Sequence, residues 1–209
     1  MDTVYLNEGQ GEAILRASAV LRRGGVIIYP TDTLYGLGAD ALSNEAVDKV
    51  YDIKGRDERK PIHAVFADLE MVEEYAELND AARKLAEKFF PGPLTMVLKK
   101  KAGVTTGIGR GMETIGVRIP DNEFCIELAK ALGKPYTTTS ANAGGEQPEL
   151  TIEKITRQLG EGTRLVDLAI DGGMLPLSAP STVVTVATGV PAVLREGAIS
   201  QGDIMDAVS

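Results

Sequence analysis

The sequence predicts an α/β-type (α+β) fold, with helices flanking a twisted, mixed β-sheet. Three observations carry that prediction. Apolar residues at helical spacing alternate along the chain with short β-rich runs. Helical segments between β-rich runs imply crossovers and hence parallel neighbours. One tight turn, Thr188-Gly189, joins two β-rich runs and implies an antiparallel hairpin. With 209 residues, 44% of them hydrophobic and 25% charged, the chain can bury one real core but is too short for two large ones. Residues 1–209 are therefore expected to form a single domain.

Each element follows from its own residues. Residues 11–23 place Ile14, Leu15, Ala17, Val20 and Leu21 near helical spacing and stop at Gly24-Gly25. "VIIY" (26–29) reads as a buried strand, after which "YPTDTLYGLGADA" (29–41) has neither helical nor strand period. It reads as a loop, either plain turn chemistry or one wall of a small-molecule pocket. Ser43 is placed to cap a helix running to about Ile53 and ending near Gly55. "IHAVF" (62–66) is read as strand, and "NDAARKLAEKFF" (79–90) as a helix stopped by "PGP". Then come strands "TMVLKK" (95–100) and "TIGVRI" (114–119), helix "NEFCIELAKALG" (122–133) and strand "PYTTTS" (135–140). A helix over 151–159 precedes strand "LVDLAI" (165–170). "TVVTVA" (182–187) and "PAVLRE" (191–196) form the hairpin, and Ser200 with Asp203 opens a last helix.

Composition narrows the function classes. No apolar run approaches the roughly 20 residues of a membrane span. The N-terminus "MDTVYLNEGQ" lacks the charged-then-apolar layout of a signal peptide. A lone cysteine, Cys125, rules out an internal disulfide framework or a multi-thiolate metal site, and a cytoplasmic protein with no membrane partner is expected. The net charge of −8 repels a phosphate backbone unless cations are gathered locally. They are gathered in "KGRDERK" (54–60), directly before the acidic stretch "DLEMVEEYAELND" (68–80). That asymmetry suggests a local anion site on an acidic body.

Neither a phosphate-binding G-x-x-x-x-G-K-[ST] loop nor a G-x-G-x-x-G after a strand occurs. His63, the only histidine, has no evident nucleophile beside it and reads as structural. Cys125, in an apolar helix pattern, reads as a packed core thiol. No His or Cys cluster supports a protein-built metal cage, and no side chain stands out as a catalytic nucleophile or base. What remains is polar and cationic: Thr31, Thr33, Thr138, Ser140, Asn142 and Ser181, with Lys54, Arg56, Lys60, Arg118 and Arg195. Nearly all lie at strand ends or in the loops that follow, where open sheets collect ligands. In "TIGVRIP", Ile115, Val117 and Ile119 share one face and Gly116 and Arg118 the other. Glycine there is expected to leave room for a ligand beside the guanidinium, which can clamp a carboxylate with two bonds.

Seven segments, in order, resemble the YrdC/Sua5 family of L-threonylcarbamoyladenylate synthases: "YPTDTLYGLGADA", "KGRDERKPI", "PGPLTMVL", "VRIPD", "TTSANAGG", "STVV" and "LREGAIS". Most specific is the pairing of Lys54-Gly-Arg56 with Ser140-Ala-Asn142. The resemblance implies a single YrdC-like domain with a concave, locally positive cleft. It implies condensation of L-threonine, bicarbonate and ATP to threonylcarbamoyl-AMP and pyrophosphate. The product would serve N6-threonylcarbamoylation of tRNA adenosine 37 through separate transfer proteins. By the same resemblance Lys54, Arg56, Lys60, Ser140, Asn142 and Arg195 would face ATP, while Thr33, Arg118, Thr138 and Ser181 would face threonine. Magnesium would be held through the ATP phosphates.

Two departures stand out. Longer Sua5 members carry a further C-terminal domain that this sequence does not contain. Asp57 stands where many members have proline, as in YciO-like relatives. The alternative function is accordingly an RNA-binding module for tRNA, double-stranded RNA or the ribosome; the acidic composition and only ten aromatic residues argue against it. Carbamoyl-adenylate chemistry of the hydrogenase-maturation type is a weaker third reading.

Overall fold

A computed structural model describes residues 1–55 and 61–209. Ten strands and seven α-helices make up the architecture among these residues. In chain order they are β1 (Asp2–Tyr5), α1 (Gln10–Arg22), β2 (Ile27–Pro30), β3 (Tyr35–Gly38), α2 (Asn44–Lys54) and β4 (His63–Val65). There follow α3 (Leu69–Tyr75), α4 (Asp80–Phe89), β5 (Leu94–Lys99), β6 (Thr114–Arg118), α5 (Glu123–Leu132) and β7 (Tyr136–Ser140). The chain closes with α6 (Ile152–Leu159), β8 (Leu168–Asp171), β9 (Thr182–Thr185), β10 (Ala192–Arg195) and α7 (Gln201–Val208). The sheet is mixed, in the order β1-β8-β2-β3-β7-β4-β6-β5-β9-β10. β9 and β10 form the expected antiparallel hairpin, while β1–β8, β2–β8, β4–β6 and β5–β9 are parallel.

The helices begin where capping chemistry directs. Ser43, Asn79, Asn122, Thr151 and Ser200 each accept a hydrogen bond from the backbone N–H three residues on, satisfying a donor the first turn leaves open. α2 and α5 stop at Gly55 and Gly133, both in the left-handed conformation that glycine adopts without a Cβ penalty.

Three elements differ from the sequence reading. The stretch 29–41 is not a loop throughout: Tyr35–Gly38 is the buried strand β3, paired antiparallel with β2 and β7. Its period was hidden because Gly36 and Gly38 offer no side chain to alternate. A Cβ at either would meet the Tyr29 ring at 3.0 Å, so the glycines let that ring lie across the strand. The acidic run holds α3, capped by Asp68, with Val72 its fully buried anchor. At the N-terminus, β1 adds a parallel edge to β8.

Packing differs between the two ends of the sheet. Along β8-β2-β3, α1 and α5 cover one face through Leu21, Phe124 and Leu128. α2 and α6 cover the other face through Val50 and Ile155. Along β4-β6-β5-β9, α3, α4 and α7 pack on the face that carries Ala64, Val117 and Met96. The opposite face of those strands floors a cavity.

Candidate active site

Strand register accounts for the cavity floor. His63 of β4 lies opposite Thr138 of β7 on one side and Gly116 of β6 on the other. Paired residues present side chains to the same face, so these three form a row. Arg118 and Thr95 lie one position beyond the Val117–Met96 pair and extend the same surface toward β9. The walls come from loops at strand ends: Thr31 and Thr33 after β2, Asn142 and Glu146 after β7, and Pro180 and Ser181 before β9. The enclosed volume is about 280 Å³.

Of the ten residues assigned to ligands from the sequence, seven line this cavity: Thr33, Arg118, Thr138, Ser140, Asn142, Ser181 and Arg195. Arg56 and Lys60 lie outside the described residues. Lys54 stands behind the wall. The residue is 4% exposed, and its ammonium donates to the carbonyls of Ser140 (2.5 Å) and Asn142 (2.8 Å) and to Asn142 Oδ1 (3.2 Å). The last turn of α2 thereby pins the Ser-Ala-Asn loop, in which Ser140 Oγ also donates to Asn142 Oδ1. Asn142 Nδ2 closes the loop on the carbonyls of Ala143 and Glu146.

At the opposite end, Arg195 donates to the Ser181 carbonyl at 2.8 Å, and the Ser181 and Thr95 hydroxyls are 2.9 Å apart. Thr95, Glu146 and His63 were not singled out as ligand residues. Only the sheet register brings Thr95 beside Arg118, and His63 had been set aside as structural. The space above Gly116 is not open as expected: a Cβ there would lie 2.2 Å from His63 Cδ2. The imidazole therefore occupies the room that glycine leaves and forms part of the cavity floor.

Arg118 is buried, 6% exposed, at the centre of the site. One terminal nitrogen donates to Asp32 Oδ1 at 2.5 Å and to Thr33 Oγ1 at 2.8 Å. Nearby, Tyr35 donates its hydroxyl to the Gly173 carbonyl at 2.6 Å, and burial pushes that phenol up to about 12. Cys125 is a core thiol, as its helix pattern implies: it is fully buried, points at the Pro30 carbonyl, and is pushed up to about 12 chiefly by desolvation.

The mixed sheet thus brings hydroxyls, an amide and two arginines together at strand ends around one cavity. The chain matches the Sua5–YciO–YrdC family, described as telomere recombination, over residues 19–197. A relative from Methanocaldococcus jannaschii is 39% identical over 195 residues, 93% of this chain and 90% of its own. The threonylcarbamoyl-AMP synthase of Bacillus subtilis is 34% identical and covers 97% of this chain, which spans only 58% of that protein. Among solved structures, Pyrococcus abyssi Sua5 complexed with L-threonine superposes with a TM-score of 0.89 at 31% identity, over 99% of this chain and 60% of its own. Escherichia coli YciO superposes at 0.83 and 29% identity, over 97% and 98%. The chain belongs to the YrdC/Sua5 family.

Proposed function

We propose that the protein is a threonylcarbamoyl-AMP synthase, joining L-threonine, bicarbonate and ATP and releasing pyrophosphate. The observation that carries this reading is the meeting, in one cavity, of seven residues assigned to two different substrates. Arg118, Thr33, Thr138 and Ser181 supply a cation and three hydroxyls for an amino acid. Ser140, Asn142 and Arg195 supply directional groups and a cation for the nucleotide, with Arg56 and Lys60 assigned to its phosphates. In the Pyrococcus abyssi relative, L-threonine is the ligand of the complex.

Catalysis on this reading is positioning and charge neutralisation. The threonine amine adds to carbon dioxide derived from bicarbonate and loses a proton. The carbamate oxygen then attacks the α-phosphorus, and pyrophosphate leaves. Magnesium would be carried by phosphate oxygens, since hard cations take oxygen ligands and retain waters. The product would pass to the proteins that transfer threonylcarbamoyl to tRNA adenosine 37.

Mass spectrometry of the nucleotides formed from ATP, bicarbonate and threonine tests the proposal. The expected species is AMP carrying a threonylcarbamoyl group, absent when either threonine or bicarbonate is omitted. No such adduct, together with tight RNA binding that weakens steeply with salt, would overturn the synthase reading in favour of an RNA module.

A further inference from the structure

We infer that Asp32 is a positioning residue for Arg118, holding one end of the guanidinium so that the remainder stays aimed at an amino-acid carboxylate. The inference rests on the threonine assignment above and adds Asp32, which lies in the segment 29–41 but carries no ligand assignment of its own.

Arg118 and Asp32 are both nearly buried, with side chains 7% and 10% exposed. Within that pair only one arm of the possible fork is made, from an Arg118 terminal nitrogen to Asp32 Oδ1 at 2.5 Å. Arg118 Nε and Asp32 Oδ2 are both buried with no partner among the described residues. An ion pair that served stability alone would close the second arm and satisfy both atoms, because buried charges repay their desolvation only with complete hydrogen bonding. A half-made fork fits an arginine held at one end; with Nε buried and one terminal nitrogen taken by Asp32 and Thr33, it is the other terminal nitrogen that is left for a ligand.

The anchor is itself braced. Both hydrogens of the committed nitrogen are taken, one by Asp32 and one by the Thr33 hydroxyl. Thr31 Oγ1 donates to the Leu34 carbonyl at 2.7 Å and lies 3.1 Å from the Thr33 hydroxyl. Thr31 Oγ1 also accepts from the N–H groups of Thr33 and Leu34, and Ser178 donates to the Thr33 carbonyl at 2.6 Å. Asp32 thus sits on a turn with little freedom to follow the guanidinium if it shifts. Its charge also neutralises Arg118, so a zwitterionic amino acid can enter without changing the net charge of the site.

Calorimetric titration of threonine and, separately, of ATP into the parent, Asp32→Ala, Asp32→Asn and Arg118→Ala tests the inference. Asp32→Ala should weaken threonine binding by roughly tenfold or more while ATP binding changes by less than about threefold, since a displaced clamp fails only its own ligand. Asp32→Asn keeps an oxygen opposite the guanidinium and should recover most of the loss. The preference for threonine over threonine amide should shrink in Asp32→Ala, a change that mere loosening of the fold would not produce. Parent-like threonine binding in Asp32→Ala, with binding lost in Arg118→Ala, would overturn the inference while sparing the threonine assignment. Equal losses for ATP and threonine would overturn it as well. Unchanged threonine binding in Arg118→Ala would instead sink the assignment itself, and the inference with it.

Discussion

A methyl group at position 116 would lie 2.2 Å from the His63 ring, so Gly116→Ala cannot be accommodated without moving the imidazole. Overpacking of this kind costs about 1–3 kcal/mol, measurable by urea denaturation. His63 is the only histidine, and the Hε1 resonance of its imidazole should shift in the variant. Addition of threonine should perturb the same resonance in the parent, because the ring lines the cavity. Lys54 poses a different residue-scale question, since its ammonium is committed to three oxygens of the Ser140–Asn142 loop. Lys54→Met keeps the length but removes a charged donor, and loss of one such bond costs about 1.5–3 kcal/mol. The loop it pins carries Ser140 and Asn142, so KM for ATP should rise with the loss of stability. The lysine in the Lys-x-Arg motif was legible as important, but its contacts with the Ser140–Asn142 loop were not. A sequence cannot show that an ammonium faces carbonyls rather than a phosphate.

At the scale of elements, local chemistry decided most boundaries. The caps at Ser43 and Ser200 and the glycine stop at 55 were readable because they act within one turn of the chain. Ser43→Ala should cost about 1 kcal/mol through the lost bond to the Ala46 N–H. In a protein of this size that lowers Tm by about 2–4 °C. Substrate KM values should hold, because the N-terminus of α2 lies three turns away from Lys54. Strand β3 was not readable. Its four residues include two glycines, and what makes them a strand is pairing on both sides together with the Tyr29 ring above them. α3 was concealed for a related reason: its acidic residues outweigh an apolar side made of buried Val72 and half-buried Leu69, Met71 and Tyr75.

For the molecule as a whole, burial of Cys125, Tyr29, Tyr35 and Tyr136 raises all four above their ordinary values of 9.0 for the thiol and 10.0 for the phenols. The unfolded chain therefore releases these protons at lower pH than the folded protein does. Stability is fully present below about pH 9 and falls as pH rises toward 12. Cys125 alone, fully buried, contributes a loss of about 1.4 kcal/mol per pH unit across that window. Urea midpoints should decline from pH 9 to pH 11, and Cys125→Ser should flatten the first part of that decline. A slope indifferent to the cysteine would place the alkaline sensitivity in the tyrosines.

By itself the sequence determined the α/β class, the hairpin at Thr188-Gly189, the helix caps at Ser43 and Ser200, and the family. All of these depend on neighbours within a few positions or on motifs that keep their order along the chain. Tertiary structure alone decided how the motifs meet. The sheet runs β7-β4-β6-β5-β9 across segments separated by tens of residues, and that order sets Thr138, His63, Arg118 and Thr95 on one surface. It also decided that the space over Gly116 is filled by an imidazole, that Lys54 faces carbonyls, and that Asp32 grips Arg118 by one arm. Each of these is a contact between strands or loops far apart in sequence. Its geometry exists only once the sheet has brought them together.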